Sequence, residues 1–278
     1  MLLSLIQTSQ NRGKELARFV DSLNRQTNVD FSAIQLIFVD QGDNKNAFDT
    51  LDKRIKLTYL RTNRCSLSRA RNFGLKYVEG DFVGFPDDDC WYKESTLSQV
   101  LALLSLGAYQ GVAGKGMSED NVVTGHFLSK QTELSVKTYF SAISYTMFFK
   151  YDKDVLFDEN IGIGSPYNIG SGEESDYMLF LMSKKNYRIL YSPEIIVHHP
   201  SQTIYEEQIL LKKSYSYARG AGYLARKHNF PLKMKISLLI KPLMGLFYFS
   251  LTLNLLRFKK SFLLLKGRIE GLFFKVGR

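Results

Sequence analysis

The first 115 residues alternate short apolar runs with amphipathic stretches, and no other feature constrains the fold as tightly. "LLSLI" (2–6), "AIQLIFVD" (33–40), "IKLTYL" (55–60) and "DFVGF" (81–85) have the length and composition of buried strands. After the first of them, Leu16, Phe19, Val20 and Leu23 recur at i, i+3, i+4 and i+7, the apolar stripe of a helix. "SLSRARNFGLKYV" (66–78) and "TLSQVLALLSL" (96–106) read as further helices. Strands separated by helices are expected to form an open, mostly parallel sheet with flanking helices. Such an α/β architecture binds its ligands at the carboxyl ends of the strands.

That edge is where "FPDDDCWY" (85–92) falls, because Pro86 cannot donate to a ladder and ends the run before it. A solvated turn accounts for one aspartate. Three in succession, Asp87, Asp88 and Asp89, repel one another, and at least one pKa must rise unless a cation or hydrogen-bond donors relieve the charge. Hard oxygen ligands suit Mg²⁺ or Mn²⁺, and such an ion can bridge to a diphosphate. Thr8 follows the first strand, Asp40 closes the second in "FVDQGD", and "TNRCSLSRARN" (62–72) brings Arg64, Arg69 and Arg71 toward the third. A carboxylate can accept from a base or ribose and an Arg can pair with phosphate, so the set describes a nucleotide pocket.

Charge divides the chain unevenly. From residue 201 onward there are 15 Lys or Arg against 3 Asp or Glu, so the net charge of +10 belongs to the tail. There "ISLLIKPLMGLFYFSLTLNLL" (236–256) has the length of a bilayer span, but Lys241 and Pro242 interrupt it. "SFLLLKGRIEGLFFKVGR" (261–278) repeats apolar residues at Phe262, Leu265, Ile269, Leu272 and Phe273, flanked by Arg257, Lys259 and Lys260. Basic amphipathic helices lie in anionic membrane interfaces, though the same helices could pack on the rest of the chain. Nucleic acid is a poorer partner, since the positive charge is interleaved with aliphatic runs rather than aromatic stacking platforms. Cys65 and Cys90 form no metal-type spacing and fit a reduced, cytoplasmic protein. "MLLSLIQTSQNRGK" lacks the basic start and apolar length of a signal sequence.

"LIQTSQNR", "IFVDQGD", "SLSRARNFGL", "VGFPDDDCWY" and "GSGEESDYMLFL" stand in an order and spacing that resemble family 2 glycosyltransferases of the GT-A fold, from Met1 to about Pro200. The resemblance implies a GT-A catalytic domain over 1–200, with a nucleotide-sugar half at 1–115 and an acceptor half at 116–200. A basic amphipathic helical extension over 201–278 would associate with the membrane. It also implies an inverting, metal-dependent transfer of sugar from a nucleotide diphosphate donor, with a UDP-sugar expected, to a glycan or lipid-linked acceptor. The enzyme would then serve surface polysaccharide synthesis from the inner face of the cell membrane.

Residue by residue, the resemblance places Thr8 and Asp40 at the nucleotide, Arg71 near the diphosphate and Asp88 toward the donor ribose or sugar. Asp87 and Asp89 match the ends of the family's DxD motif as ligands of Mn²⁺ or Mg²⁺. Gln41 stands where the family usually has a second acid, and its amide can still hydrogen-bond a base. The catalytic base falls on Glu174, one methylene longer than the family's aspartate, with Asp176 the runner-up and Glu173 binding acceptor or cap. An S-x-x-E capping box from Ser171 to Glu174 explains one of these acids but not all three. In "VHHP" a histidine would complete the metal shell; strand alternation lets only one of the pair face the site, and the expectation is His198. Two other classes use similar parts. A sugar-nucleotide nucleotidyltransferase would need a glycine-rich loop that "QTSQNRGK" does not supply, and a non-catalytic scaffold would bind donor without turnover.

Overall fold

The computed structural model describes residues 1–201 and 205–275, which group into two compact units. One comprises residues 1–65, 69–156 and 177–202; the other comprises 66–68, 157–176 and the chain from 203 on. The last part of the expected 261–278 helix therefore lies outside the described residues.

The first unit is built on a nine-stranded sheet. In chain order its strands are β1 (Leu3–Ser9), β2 (Ile34–Asp40), β3 (Lys56–Arg61), β4 (Phe82–Gly84), β5 (Trp91–Tyr92), β6 (Gly111–Met117), β7 (Thr132–Glu133), β8 (Met147–Lys150) and β9 (Ile189–His198). Their spatial order is β3-β2-β1-β4-β8-β6-β9-β5, with β7 on β9. β1 to β4 pair in parallel, as does β6 with β9, while β8 enters antiparallel between β4 and β6. The sheet is thus more mixed than the periodicity predicts, because strands as short as β5, β7 and β8 carry too few residues to show a period.

Helix α1 (Gly13–Asn24) lays Leu16, Phe19, Val20 and Leu23 on the sheet, each with no exposed surface. They join Leu3, Leu5, Leu36, Phe38 and Tyr92 in one core cluster. Full burial of one such side chain is worth about 1.5–3 kcal/mol. Helices α2 (Leu67–Leu75) and α3 (Thr96–Ser105) follow β3 and β5. The register aligns Ser9, Asp40 and Arg61 in one row across β1, β2 and β3. Connections run outward from β1 to β3, then return to place β4 on the other side of β1. The strand order therefore reverses between β1 and β4, the position where an open α/β sheet leaves a crevice at its carboxyl edge.

The second unit holds the first turn of α4 (Glu173–Lys184) and three long helices, α5 (Glu207–Lys227), α6 (Leu232–Leu251) and α7 (Leu255–Phe273). α5 and α7 meet backbone to backbone. A Cβ at Gly267 would stand 2.6 Å from the Tyr215 carbonyl, and one at Gly271 would collide with that of Arg219. α6 has the length and apolar composition to cross a bilayer, yet only 6% of it is buried. Its exposed apolar residues include Leu232, Ile236, Ile240, Leu243, Phe247 and Leu251, which recur every three or four positions along one stripe.

Candidate active site

The three aspartates leave β4 at the reversal point, and the chain supplies its own donors to them. The carbonyl of Asp87 accepts from Gln7 Nε2 at 3.1 Å, tying the acidic turn to the end of β1. Arg71, 1% exposed, donates from Nη2 to Asp87 Oδ1 at 2.9 Å, and Ser144 Oγ donates to the same oxygen at 3.2 Å. Arg12 Nη1 donates to Asp89 Oδ2 at 2.5 Å and lies 3.6 Å from Asp88 Oδ1. Arg18 donates to the Asp89 carbonyl at 3.1 Å. Each aspartate thereby has a different electrostatic setting. Burial pushes Asp87 above the usual carboxylate range against the pull of Arg71, and pushes Asp88 up to about 6. Burial acts on Asp89 in the same sense, but His199 and Arg12 outweigh it and hold that carboxyl at about 2.

His199, not His198, is the imidazole that reaches the carboxylates. His198 is the last residue of β9 and pairs with Trp91 of β5, so its ring stacks on that indole with centroids 5.3 Å apart. One residue beyond the strand, the His199 N–H donates to the Met117 carbonyl at 2.9 Å and the ring packs against Tyr145. His199 Nε2 then stands 3.1 Å from Asp89 Oδ1, while Nδ1 is 2.9 Å from the Pro200 carbonyl. A proton on Nδ1 satisfies that carbonyl and leaves Nε2 with its lone pair toward the carboxylates when the ring is neutral. Burial disfavours the imidazolium, yet Asp89 more than offsets it and raises the His199 pKa. One ligand atom each from Asp87, Asp89 and His199 lie within 4.8 Å of one another. Two carboxylate oxygens and an imidazole nitrogen so gathered fit a divalent ion such as Mn²⁺ or Mg²⁺.

The expected nucleotide residues take distinct positions. Thr8 is half-buried in β1 beside Val39 of β2. Asp40 is fully buried and accepts four hydrogen bonds: from the Gly42 N–H at 2.8 Å, the Asn44 N–H at 3.0 Å, the Asn44 amide at 2.8 Å and the Tyr59 hydroxyl. Those donors fill its acceptor positions and lower its pKa despite burial, so Asp40 shapes the 41–44 turn. Gln41 accepts from the Cys65 N–H at 2.8 Å, linking that turn to the loop after β3. Arg71 is spent on Asp87 and the Phe85 ring rather than standing open at the crevice.

In the second unit, α4 begins behind Gly172, whose φ of +98° suits glycine. Ser171 Oγ donates to the Tyr217 carbonyl at 3.4 Å rather than capping α4. Glu173 and Asp176 are buried and Glu174 is half-buried. Asp176 receives Lys227 Nζ at 2.8 Å and His228 Nε2 at 2.7 Å, and Lys227 also binds Asp158 at 2.6 Å. Asp176 therefore anchors the end of α5, which leaves Glu174 as the more accessible of the two expected bases. Arg12 and Ser144 are not expected from the sequence, and of the histidine pair His199 takes the place expected of His198. Arg12 lies three residues past the end of β1, beyond the strand's apolar run.

Residues 4–172 match the family model Glycosyl transferase family 2. The poly(ribitol-phosphate) beta-N-acetylglucosaminyltransferase TarP of Staphylococcus aureus is 27% identical over 199 residues, covering 67% of this chain and 59% of that protein. The chain spans between 23% and 59% of the length of three of the curated relatives it matches, TarP among them. Among solved structures, S. aureus TarS 1-349 in complex with UDP-GlcNAc is similar with a TM-score of 0.61 at 15% identity, covering 97% of this chain and 91% of that one. The mannosyltransferase PcManGT from Pyrobaculum calidifontis, in complex with GDP-Man and Mn²⁺, gives 0.62 at 12%, covering 98% and 87%. These neighbours share the GT-A fold with the sheet described above, and the family match extends over more than half of the sequence: the chain belongs to glycosyl transferase family 2.

Proposed function

We propose that this chain is an inverting glycosyltransferase that uses a divalent ion and moves a sugar from a nucleotide diphosphate, of UDP type, to a glycan or lipid-linked acceptor in surface polysaccharide synthesis. The observation that carries this reading is the Asp87, Asp89 and His199 donor set at the crevice where the strand order reverses. The names of TarP and TarS and the UDP-GlcNAc in the latter's structure support the donor type, and the Mn²⁺ beside GDP-Man in PcManGT supports the ion. When bound, the ion would neutralise charge on the departing nucleotide diphosphate. Asp87, Asp89 and His199 would hold it, Arg71 and Ser144 would orient Asp87, and Arg12 would orient Asp89 and face Asp88. Glu174 would take the proton from the attacking acceptor hydroxyl. A panel of UDP-, GDP- and dTDP-sugars, assayed for hydrolysis with Mn²⁺ and then with EDTA, tests the reading. Metal-dependent release of nucleotide diphosphate from one UDP-sugar is expected; release unaffected by EDTA would count against the ion.

The same reading places the protein at the inner face of the membrane. The apolar stripe of α6 is exposed, and the second unit carries the chain's surplus of Lys and Arg, including Lys241 within α6 and Lys259 and Lys260 on α7. An anionic bilayer surface complements both features. Lys241 and Pro242 within α6 favour lying in the interface over crossing it. Co-sedimentation with phosphatidylglycerol vesicles is expected and should fall in Phe247→Glu, with weaker capture by phosphatidylcholine vesicles. Equal capture of both variant and parent would remove α6 from the contact.

A further inference from the structure

A cavity of about 540 Å³ opens within the helical unit between the 162–170 loop and α5. Its volume is in the range of ligand pockets. One wall is largely backbone: Gly164 and Asn168 have positive φ, and Gly170 N–H donates to the Ser216 carbonyl at 3.2 Å. The opposite wall presents Lys212, Lys213 and Tyr217 from α5. Arg219 of α5 pins this loop by donating to the Tyr167 carbonyl at 2.7 Å, so the wall is held in place.

The pocket is cationic at one end. Among the described residues neither Lys212 nor Lys213 has an ion pair to a carboxylate, whereas Arg219, Lys227, Lys259 and Lys266 do. Lys213 Nζ instead takes the Tyr205 hydroxyl at 2.6 Å and lies 4.4 Å and 5.2 Å from the ring centroids of Tyr205 and Tyr217. An ammonium held by rings and a hydroxyl keeps its charge and can still meet an anion. Tyr217 of α5 lines the cavity beside Lys213. Burial raises the Tyr217 pKa, and the charges of Glu173 and Glu174 add to that rise. The cavity therefore sets a pair of lysines beside a half-exposed aromatic ring.

We infer that this cavity is an acceptor subsite for a phosphate-bearing acceptor, with Lys212 and Lys213 on the phosphate and Tyr217 against the sugar or polyol. The inference rests on the transferase reading above, because it takes Glu174 as the group that meets the acceptor hydroxyl. Two sources share this chemistry, a phosphodiester polyol chain and a lipid-linked diphosphate. Calorimetric titration of the full chain with a polyol-phosphate trimer and with a short-chain prenyl diphosphate sugar separates them, alongside the dephosphorylated polyol and the free sugar. One phosphate-bearing probe is expected to bind at least about 10-fold more tightly than its neutral counterpart, and Lys212→Ala/Lys213→Ala is expected to abolish that difference. Lys213→Arg should preserve it. Equal affinity for charged and neutral probes, no binding of either phosphate probe, or an unchanged preference in the double variant overturns the inference. UDP titrated into the same samples reports on the donor site and the fold, so loss of UDP binding in the parent would sink the transferase reading and not the phosphate site.

Discussion

Asp89→Ala is expected to lower sugar transfer by roughly 10³-fold at saturating Mn²⁺ or Mg²⁺, the scale of losing a preorganised charge contact to the leaving group. The same variant is expected to keep its melting temperature within a few degrees. The contrast comes from what each aspartate holds. Asp89 engages Arg12 and His199, whose side chains are 48% and 28% exposed and can be rehydrated when the carboxylate is gone. Asp87 engages Arg71, which is 1% exposed. Asp87→Ala strands a buried guanidinium, a defect that costs about 3–5 kcal/mol, so lost activity there would report on folding as much as on chemistry. Asp89 is therefore the clean test, read by initial rates across a metal titration together with thermal unfolding. Near-normal turnover in Asp89→Ala would remove this carboxylate from the reaction.

The sequence shows the site best where its residues obey a period. β2 is expected at 33–40 and stands at Ile34–Asp40, since every residue of it is buried and most are apolar. β1 extends to Ser9, farther than its apolar run, because Gln7 and Ser9 are buried polar residues at the strand end that meets the acidic turn. A strand that carries function at its tip loses its hydrophobic signature there. The same effect hides Arg12, which reads only as the approach to α1 yet reaches Asp89 from the far end of the strand–helix turn. For the histidines, alternation correctly allows one of the pair to face the carboxylates. It picks the wrong one because β9 ends at His198, and the residue beyond a strand is aimed by its own backbone contacts. Ser144 and Tyr145 lie in a stretch of short turns with no period, so only tertiary structure brings them beside Asp87 and His199.

Glu174→Gln and Asp176→Asn are expected to fail in different ways, and the difference decides which acid is the base. A general base contributes about 10²–10⁴-fold, so Glu174→Gln should lose that much turnover while binding UDP and unfolding as the parent does. Asp176 lies in a buried cluster with Lys227, His228 and, through Lys227, Asp158. Asn cannot balance Lys227, and Asp176→Asn should cost about 2 kcal/mol of stability, measurable as a lower melting temperature. The pH dependence of unfolding gives the sign. Burial opposes the charge on Asp158, but Lys227 outweighs it and lowers its pKa, so its stabilisation is complete above the unfolded value near 4 and is lost as pH falls through the folded one. Lys227 is shifted up, chiefly by Asp176 against the effect of burial, so its contribution holds below the unfolded value near 10.4 and is lost as pH rises through the folded one. Asp158 is common to both proteins, so the stability gap between parent and Asp176→Asn should close as pH rises above about 10, where the Asp176-dependent rise of Lys227 no longer contributes, whereas Glu174→Gln should show no such loss. If Asp176→Asn instead keeps its melting temperature and loses only turnover, the base is Asp176, and the cluster with Lys227 would tune its basicity rather than anchor α5.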